Sequence, residues 1–406
     1  MKYAFILLLL VVGAALHGQT ANSWVKKNDF AGFKREQAVS FVINAKGYVA
    51  TGVDTSETVL KDLWEYNPTG DSWTQRADLP GSARRNAVGF AINGKGYVGT
   101  GIDNNEATIG TKLFDFWEYD PVSNTWLQKA NFPGDGGLGI YYATGFSVGG
   151  KGYVCGGKTG ASNYSDEFWE YKPVTNQWTQ RQNFPGGIRY NMSSLTIGNV
   201  AYVGLGTDQN VYRYDWWEYN PGNNLWTQKN HFIGGQRAGA STFELFGNGY
   251  VCLGTNGGLK DDLYMYVPAI DAWYPRANFG GNERKQAISF AINNVGYVGT
   301  GAGVNGKKGS MYAYYPMESL ALEENALQLT TFPNPSVNSI QISSKNYIIN
   351  RVVLFNQVGQ QVYEANTESL VAIINRNQLP AGTYTVLVAF NNGAHISKST
   401  IQFIDL

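Results

Sequence analysis

Cysteine, histidine and charge are all scarce in this chain of 406 residues. Two Cys are too few for a disulfide scaffold or a multi-cysteine metal cluster. Of three His, only His231 and His395 lie beyond the first 18 residues, so a histidine-built metal centre is excluded and no cofactor is expected. Charged residues make up 15 %, with 31 basic and 31 acidic side chains. That balance offers no electrostatic reason to bind nucleic acid or an anionic membrane. Long apolar runs are absent but for one, Ala4 to Leu16, behind Lys2. It falls short of the about 20 apolar residues a spanning helix needs, so no transmembrane segment is expected. It fits the core of a signal peptide covering residues 1–18, with cleavage near Gly18–Gln19. The abundant types are Gly (49) and aromatics (14 %), which argue for a packed structure and against disorder.

The aromatics are periodic. Trp24, Trp73, Trp126, Trp178, Trp226 and Trp273 recur roughly every 50 residues. Between them come a strand-like start (QAVSFVIN from Gln37, NAVGFAIN from Asn86, QAISFAIN from Gln286) and a Gly-Tyr-Val step, as at Gly47-Tyr48-Val49. A third segment reads Trp64-Glu65-Tyr66, Trp117-Glu118-Tyr119, Trp169-Glu170-Tyr171 and Trp217-Glu218-Tyr219, weakening to Tyr264-Met265-Tyr266 and Tyr312-Ala313-Tyr314. Short alternating segments bounded by Gly, Asn, Asp and Pro read as strands, and four per repeat make a propeller blade.

These units resemble the Kelch repeat from about Trp24 to Met317, with one spacing joining Tyr66 to Trp73, Tyr119 to Trp126, Tyr171 to Trp178, Tyr219 to Trp226 and Tyr266 to Trp273. The Gly-Gly doublet of that family survives only at Gly156-Gly157. At the corresponding place after Tyr314 stands Ala321, so the sixth unit lacks a fourth strand, while Trp24 belongs to a fourth strand with no blade before it. The expected fold is all-β: a six-bladed propeller over residues 19–317, closed by the N-terminal strand, because closure removes exposed sheet edges. A seven-bladed ring with one degenerate blade is the alternative.

Composition changes after the last blade. Every Trp lies at or before Trp273, and only Gly359, Gly382 and Gly393 follow Thr331. A linker over 318–330 and a small β-sandwich over 331–406 are expected, from strands such as SIQISS, RVVLFN and GTYTVLVAF. Phe332-Pro333-Asn334-Pro335, Gly359-Gln360-Gln361-Val362 and Leu379-Pro380-Ala381-Gly382-Thr383-Tyr384 resemble the C-terminal sorting domain of the type IX secretion system. The resemblance implies the secretion machinery as a partner, removal of the tail, and a secreted or outer-membrane-surface location in a Gram-negative bacterium. As few motifs cross the boundary, tail and propeller are expected to be nearly independent.

Some Kelch propellers are copper radical oxidases built on two His, two Tyr and a Cys. His231 alone in the propeller cannot supply that set. Cys155 and Cys252 occupy the same second-strand slot two blades apart, too far to bridge, and are expected to be buried free thiols. The Asp62, Asp115, Glu167, Asp215 and Asp262 series and the Glu65, Glu118, Glu170 and Glu218 series suggest acid–base chemistry, but repetition favours a role in every blade. Arg35, Arg84, Arg189, Arg237 and Arg284 share one position before the first strand, with Ile140 in the third blade. They are expected either to pack locally or to converge near the channel mouth on a carboxylate or sulfate. Beside them Tyr141, Tyr142 and Tyr190 would offer an apolar face to a sugar ring. No EF-hand spacing supports calcium at Asp103-Asn104-Asn105-Glu106.

Two readings of function follow. The first is a non-catalytic module binding a glycan or protein through loops on one propeller face. The second is a sugar-acid mutarotase similar to six-bladed Kelch sialic-acid epimerases, needing one Arg and one carboxylate, with Glu36 and Glu283 the nearest acids.

Overall fold

The computed structural model describes residues 22–103, 110–208, 211–316, 329–344, 348–356, 361–376, 379–390 and 395–405. The expected signal peptide, most of the expected linker, Asn104–Glu106 and Gly359–Gln360 lie outside the described residues. Six four-stranded antiparallel sheets form the blades. The innermost strands are Val39–Ile43, Val88–Ile92, Thr144–Val148, Ser193–Ile197, Ser241–Leu245 and Ile288–Ile292. Each neighbours the next, and the last returns to the first, so the ring closes. Their alternation is regular: Val39, Phe41 and Ile43 are buried, while Ser40 and Val42 are half-buried on the opposite face, against blade six. Between blades the apolar sides meet, as where Val39, Phe41 and Ile43 of blade one pack with Val98 and Tyr119 of blade two.

The sixth sheet is completed from the other end of the chain. Ser23–Lys27 pairs antiparallel with Met311–Tyr315, Trp24 opposite Tyr314. In the first five blades the strand-three Tyr hydroxyl donates to an Asx side chain two residues before the Trp: Tyr66 to Asp71 (2.7 Å), Tyr119 to Asn124 (2.8 Å), Tyr171 to Asn176 (2.8 Å), Tyr219 to Asn224 (2.9 Å) and Tyr266 to Asp271 (2.8 Å). In blade six Tyr314 donates to Asn22 at 2.8 Å, from the N-terminal segment. These Asx residues take positive φ, for example 54° at Asn124 and 50° at Asn22, a region that Asn and Asp tolerate better than most side chains. The same oxygen caps the neighbouring blade: Asn22 Oδ1 accepts from Ala277 N–H at 2.9 Å, while Trp24 Nε1–H donates to Ala277 O at 3.0 Å.

Both cysteines are fully buried and free. Burial pushes each thiol pKa well above its ordinary value. A thiol reagent should titrate neither in the native protein and both after denaturation without reductant; a titre below two after denaturation would contradict this.

The tail is a two-sheet sandwich. Leu329–Phe332, Ser339–Ser344 and Val371–Asn375 form one sheet; Gln361–Ser369, Ile349–Phe355, Gly382–Phe390 and His395–Phe403 form the other. Ile340, Ile342, Val352, Leu354, Val386 and Val388 fill the space between. The expectation of near independence needs correction, because Val353 and Phe355 of the tail join an apolar cluster with Val267 and Ile270 of blade five.

Candidate functional site

The five arginines at the repeated position do not form a convergent ring of charge. Arg35 bonds both oxygens of Asp62 at 2.6 Å and donates to Thr51 O (2.9 Å) and Phe33 O (3.0 Å). Arg84 holds Asp115 in the same fork at 2.8 and 2.6 Å, with Thr100 O at 3.1 Å. Arg189 pairs with Asp215 and Leu205 O, and Arg237 with Asp262 and Leu253 O. Arg284 has Ser310 where the others have Asp, so it donates to Thr300 O at 2.9 Å and to Ser310. Four of the guanidinium groups also lie over a Phe ring: Phe30, Phe184, Phe232 and Phe279 at 4.7–5.0 Å. The arginine residues are at most 2 % exposed. Packing, with carboxylate and carbonyl contacts inside each blade, therefore occupies Arg35, Arg84, Arg189, Arg237 and Arg284 instead of a shared anion site.

The acidic series completes the same device. Trp64, Trp117 and Trp217 each donate Nε1–H to the Asp that grips the arginine, at 2.6–2.8 Å. Burial alone would raise the Asp115 pKa, but the Arg84 hydrogen bond and charge, with Trp117, outweigh it and hold the carboxyl below its ordinary value. Arg284, buried without a carboxylate, is lowered to about 10 by desolvation. In blade three, where Ile140 replaces Arg, Glu167 accepts from Trp169 Nε1–H (2.9 Å) and from Asp135 N–H (3.2 Å).

Two residues after each arginine position, the structure builds a feature that the sequence reading missed. Gln37, Asn86, Tyr142, Asn191, Gly239 and Gln286 all take positive φ, between 53° and 63°. Their peptide groups bond in a closed circle: Asn86 N–H to Gln37 O (3.1 Å), Tyr142 to Asn86 (3.0 Å), Asn191 to Tyr142 (2.9 Å), Gly239 to Asn191 (3.0 Å), Gln286 to Gly239 (2.9 Å) and Gln37 to Gln286 (3.3 Å). Every blade gives one donor and one acceptor, so the circle satisfies backbone groups that the strands leave unpaired at the axis. Side chains converge with it. Gln37 Nε2–H donates to Tyr142 Oη (3.2 Å) and Gln286 Oε1 (3.1 Å), while its Oε1 accepts from Asn86 Nδ2 (2.9 Å) and Arg85 Nη1 (3.0 Å). At Gly239 the circle has no side chain, and a Cβ there would meet Gln286 and Asn191 at 3.1 and 3.2 Å.

The surroundings of the circle are asymmetric. The residues one position earlier are Glu36, Arg85, Tyr141, Tyr190, Ala238 and Lys285. On blades three and four lie aromatics: Tyr142 contacts Tyr141 (5.7 Å) and Tyr190 (5.6 Å), and Tyr164 stacks on Tyr190 at 5.1 Å with 10° between planes. Lys158 Nζ sits 5.1–5.9 Å from the rings of Tyr141, Tyr164 and Tyr190. Tyr141 and Tyr142 are buried, whereas Tyr164, Tyr190 and Lys158 are half-buried and reach solvent. On the opposite side, Lys307 donates to Asp54 O (2.8 Å) and to Glu57, with Glu36 Oε1 at 3.9 Å. Among the described residues no group of three His, Cys, Asp or Glu is disposed to hold a metal.

Comparison with known proteins agrees with the fold. The Kelch motif model matches residues 140–185, and the secretion system C-terminal sorting domain model matches 330–402. The solved structure of YjhT superposes with a TM-score of 0.57 at 17 % identity, covering 71 % of this chain and 94 % of that one, a likeness of fold. Ulvan lyase NLR42 of Nonlabens ulvanivorans is 34 % identical over 80 residues, 19 % of this chain. This chain spans 15 % of that lyase's length. No helix among the described residues is long and apolar enough to cross a membrane. The sorting tail makes the protein a secreted or cell-surface one. The chain is a Kelch-type β-propeller carrying a type IX secretion C-terminal sorting domain.

Proposed function

We propose that the propeller is a non-catalytic binding module outside the cell, and that its ligand is a glycan seated at the axial mouth. The observation that carries this reading is the half-exposed Tyr164–Tyr190 stack beside Lys158 and the polar circle. An aromatic step binds the apolar face of a sugar ring, the amides of Asn191 and Gln286 bond its hydroxyls, and Lys158 favours a uronic or sulfated residue. The lyase likeness covers too little of that enzyme to transfer its activity. A glycan array probed with the mature chain should return acidic glycans. Lys158→Ala should weaken their binding about tenfold and flatten its dependence on salt. Retention of a protein ligand and of no glycan would overturn the reading.

A second reading, mutarotation of a sugar acid, is favoured by one observation: Glu36 is the sole acid among the six residues flanking the circle. Its discriminating assay is anomer exchange followed by NMR. Acceleration that disappears in Glu36→Gln would support it, and no acceleration by the wild type would remove it.

A further inference from the structure

Blade five departs from its siblings on one face. Its strand three reads Leu263-Tyr264-Met265-Tyr266-Val267, with Met265 where blades one to four have Glu65, Glu118, Glu170 and Glu218. In those blades the glutamate accepts from a strand-two tyrosine, as Tyr48 to Glu65 at 2.7 Å and Tyr202 to Glu218 at 2.6 Å, and pairs with a strand-four Arg or Lys. In blade five Tyr250 Oη and Arg276 Nη2 lie instead against Met265 Sδ, each at 3.2 Å. Val267 stands where the others have Asn67, Asp120, Lys172 and Asn220, and Ile270 where they have Gly70, Ser123, Thr175 and Asn223. Three polar or small positions have become apolar on one outward patch. In blade one the equivalents Glu65 and Asn67 are half-buried, whereas Met265 and Val267 are buried.

The cover is the sorting domain. Along Ile349–Phe355 the strand alternates: Val352 and Leu354 face the sandwich core, and Arg351, Val353 and Phe355 face away from it. Val386 and Val388 likewise point inward, leaving Leu387 and Ala389 on the other face. An outer face bearing Val353, Phe355, Leu387 and Ala389 belongs in solvent only at a cost, and here it meets Val267 and Ile270. Val353 is 1 % exposed. Arg351 Nη1–H donates to Ile270 O at 3.4 Å and is steadied by Glu364 at 2.7 Å. Departure on the blade and departure on the tail coincide at one contact.

We infer that the outer face of blade five is a built seat for the sorting domain, so that the tail is docked on the propeller, not trailed from it, until the linker is cut. Removal of the tail then uncovers an apolar patch that the secreted form alone displays.

The full mature chain tests this, by small-angle X-ray scattering with thermal unfolding. The triple variant Met265→Glu, Val267→Asn, Ile270→Thr restores the residue types of the other blades, which the propeller already accommodates. It should keep the main melting transition while the maximum dimension grows by roughly 15–30 Å as the tail swings out on a linker of about a dozen residues. Leu387→Glu, made from the tail side, should give the same expansion without touching the propeller. Scattering from both variants that superposes on the wild type would overturn the docking, as would a wild-type curve already fitted by a freely tethered tail.

Discussion

Replacing Trp24 by Ala should lower the stability of the propeller by about 3 kcal/mol, the range for truncating a large packed aromatic. The indole lies against Phe279 (4.9 Å), Tyr314 (5.0 Å) and Phe243 (6.4 Å), and its N–H holds Ala277 O across the blade boundary. Because it belongs to the strand that closes the ring, its loss acts on the joint between first and last elements. Melting should fall on the order of 5–10 °C. Deleting Ser23–Lys27 altogether should do more, since Met311–Tyr315 would become an open edge free to pair with another molecule. Aggregation of the deletion variant on warming is the expected accompaniment. A deletion variant that melts with the wild type and remains monomeric would refute closure by this strand.

Asp115→Asn should cost about 3–5 kcal/mol, because it leaves the fully buried Arg84 without its counter-charge. Denaturant unfolding measures it directly. The pH dependence has a definite sign. The Asp115 carboxyl is held below its unfolded value, so its contribution is present above an unfolded pKa near about 3.9 and is lost as pH falls through the lower folded value. The difference between wild type and Asp115→Asn should therefore shrink below about pH 4. A difference that stays constant down to pH 2 would show that the carboxylate charge does not hold this arginine.

Much of this was legible because repetition exposes it. Six Trp and the orphan strand around Trp24 led to the ring and its closure, and Asn22, placed two before Trp24 as Asn124 is before Trp126, carries the closing hydrogen bonds. Both halves of the Arg–Asp pair were visible as separate series. Their near-constant offset, from 25 residues (Arg237 to Asp262) to 31 (Arg84 to Asp115), was the signal that joins them. In blade three both members change, to Ile140 and Glu167, whereas in blade six the acid alone changes, to Ser310. The axial circle was hidden for a physical reason. Its bonds join residues roughly 50 apart through backbone groups, and its positive φ falls on Gln37, Tyr142 and Gln286, whose side chains do not announce that region as glycine does. The polar residue two after four of the five arginines, Gln37, Asn86, Asn191 and Gln286, was the available trace.

The division of labour between repeated and irregular residues can be tested at two adjacent positions on blade four. Arg189 belongs to the repeated device and is 1 % exposed; Tyr190 belongs to the asymmetric aromatic step beside the circle. The measurement is the melting temperature and the affinity for an array-selected acidic glycan, taken together on Arg189→Ala and Tyr190→Ala. Arg189→Ala should melt markedly lower, yet its folded fraction should keep wild-type affinity. Tyr190→Ala should melt within about 2 °C of the wild type and bind five- to tenfold more weakly, the worth of one aromatic contact. Weaker binding by Arg189→Ala at an unchanged melting temperature, with Tyr190→Ala binding as tightly as wild type, would contradict the assignment of the site.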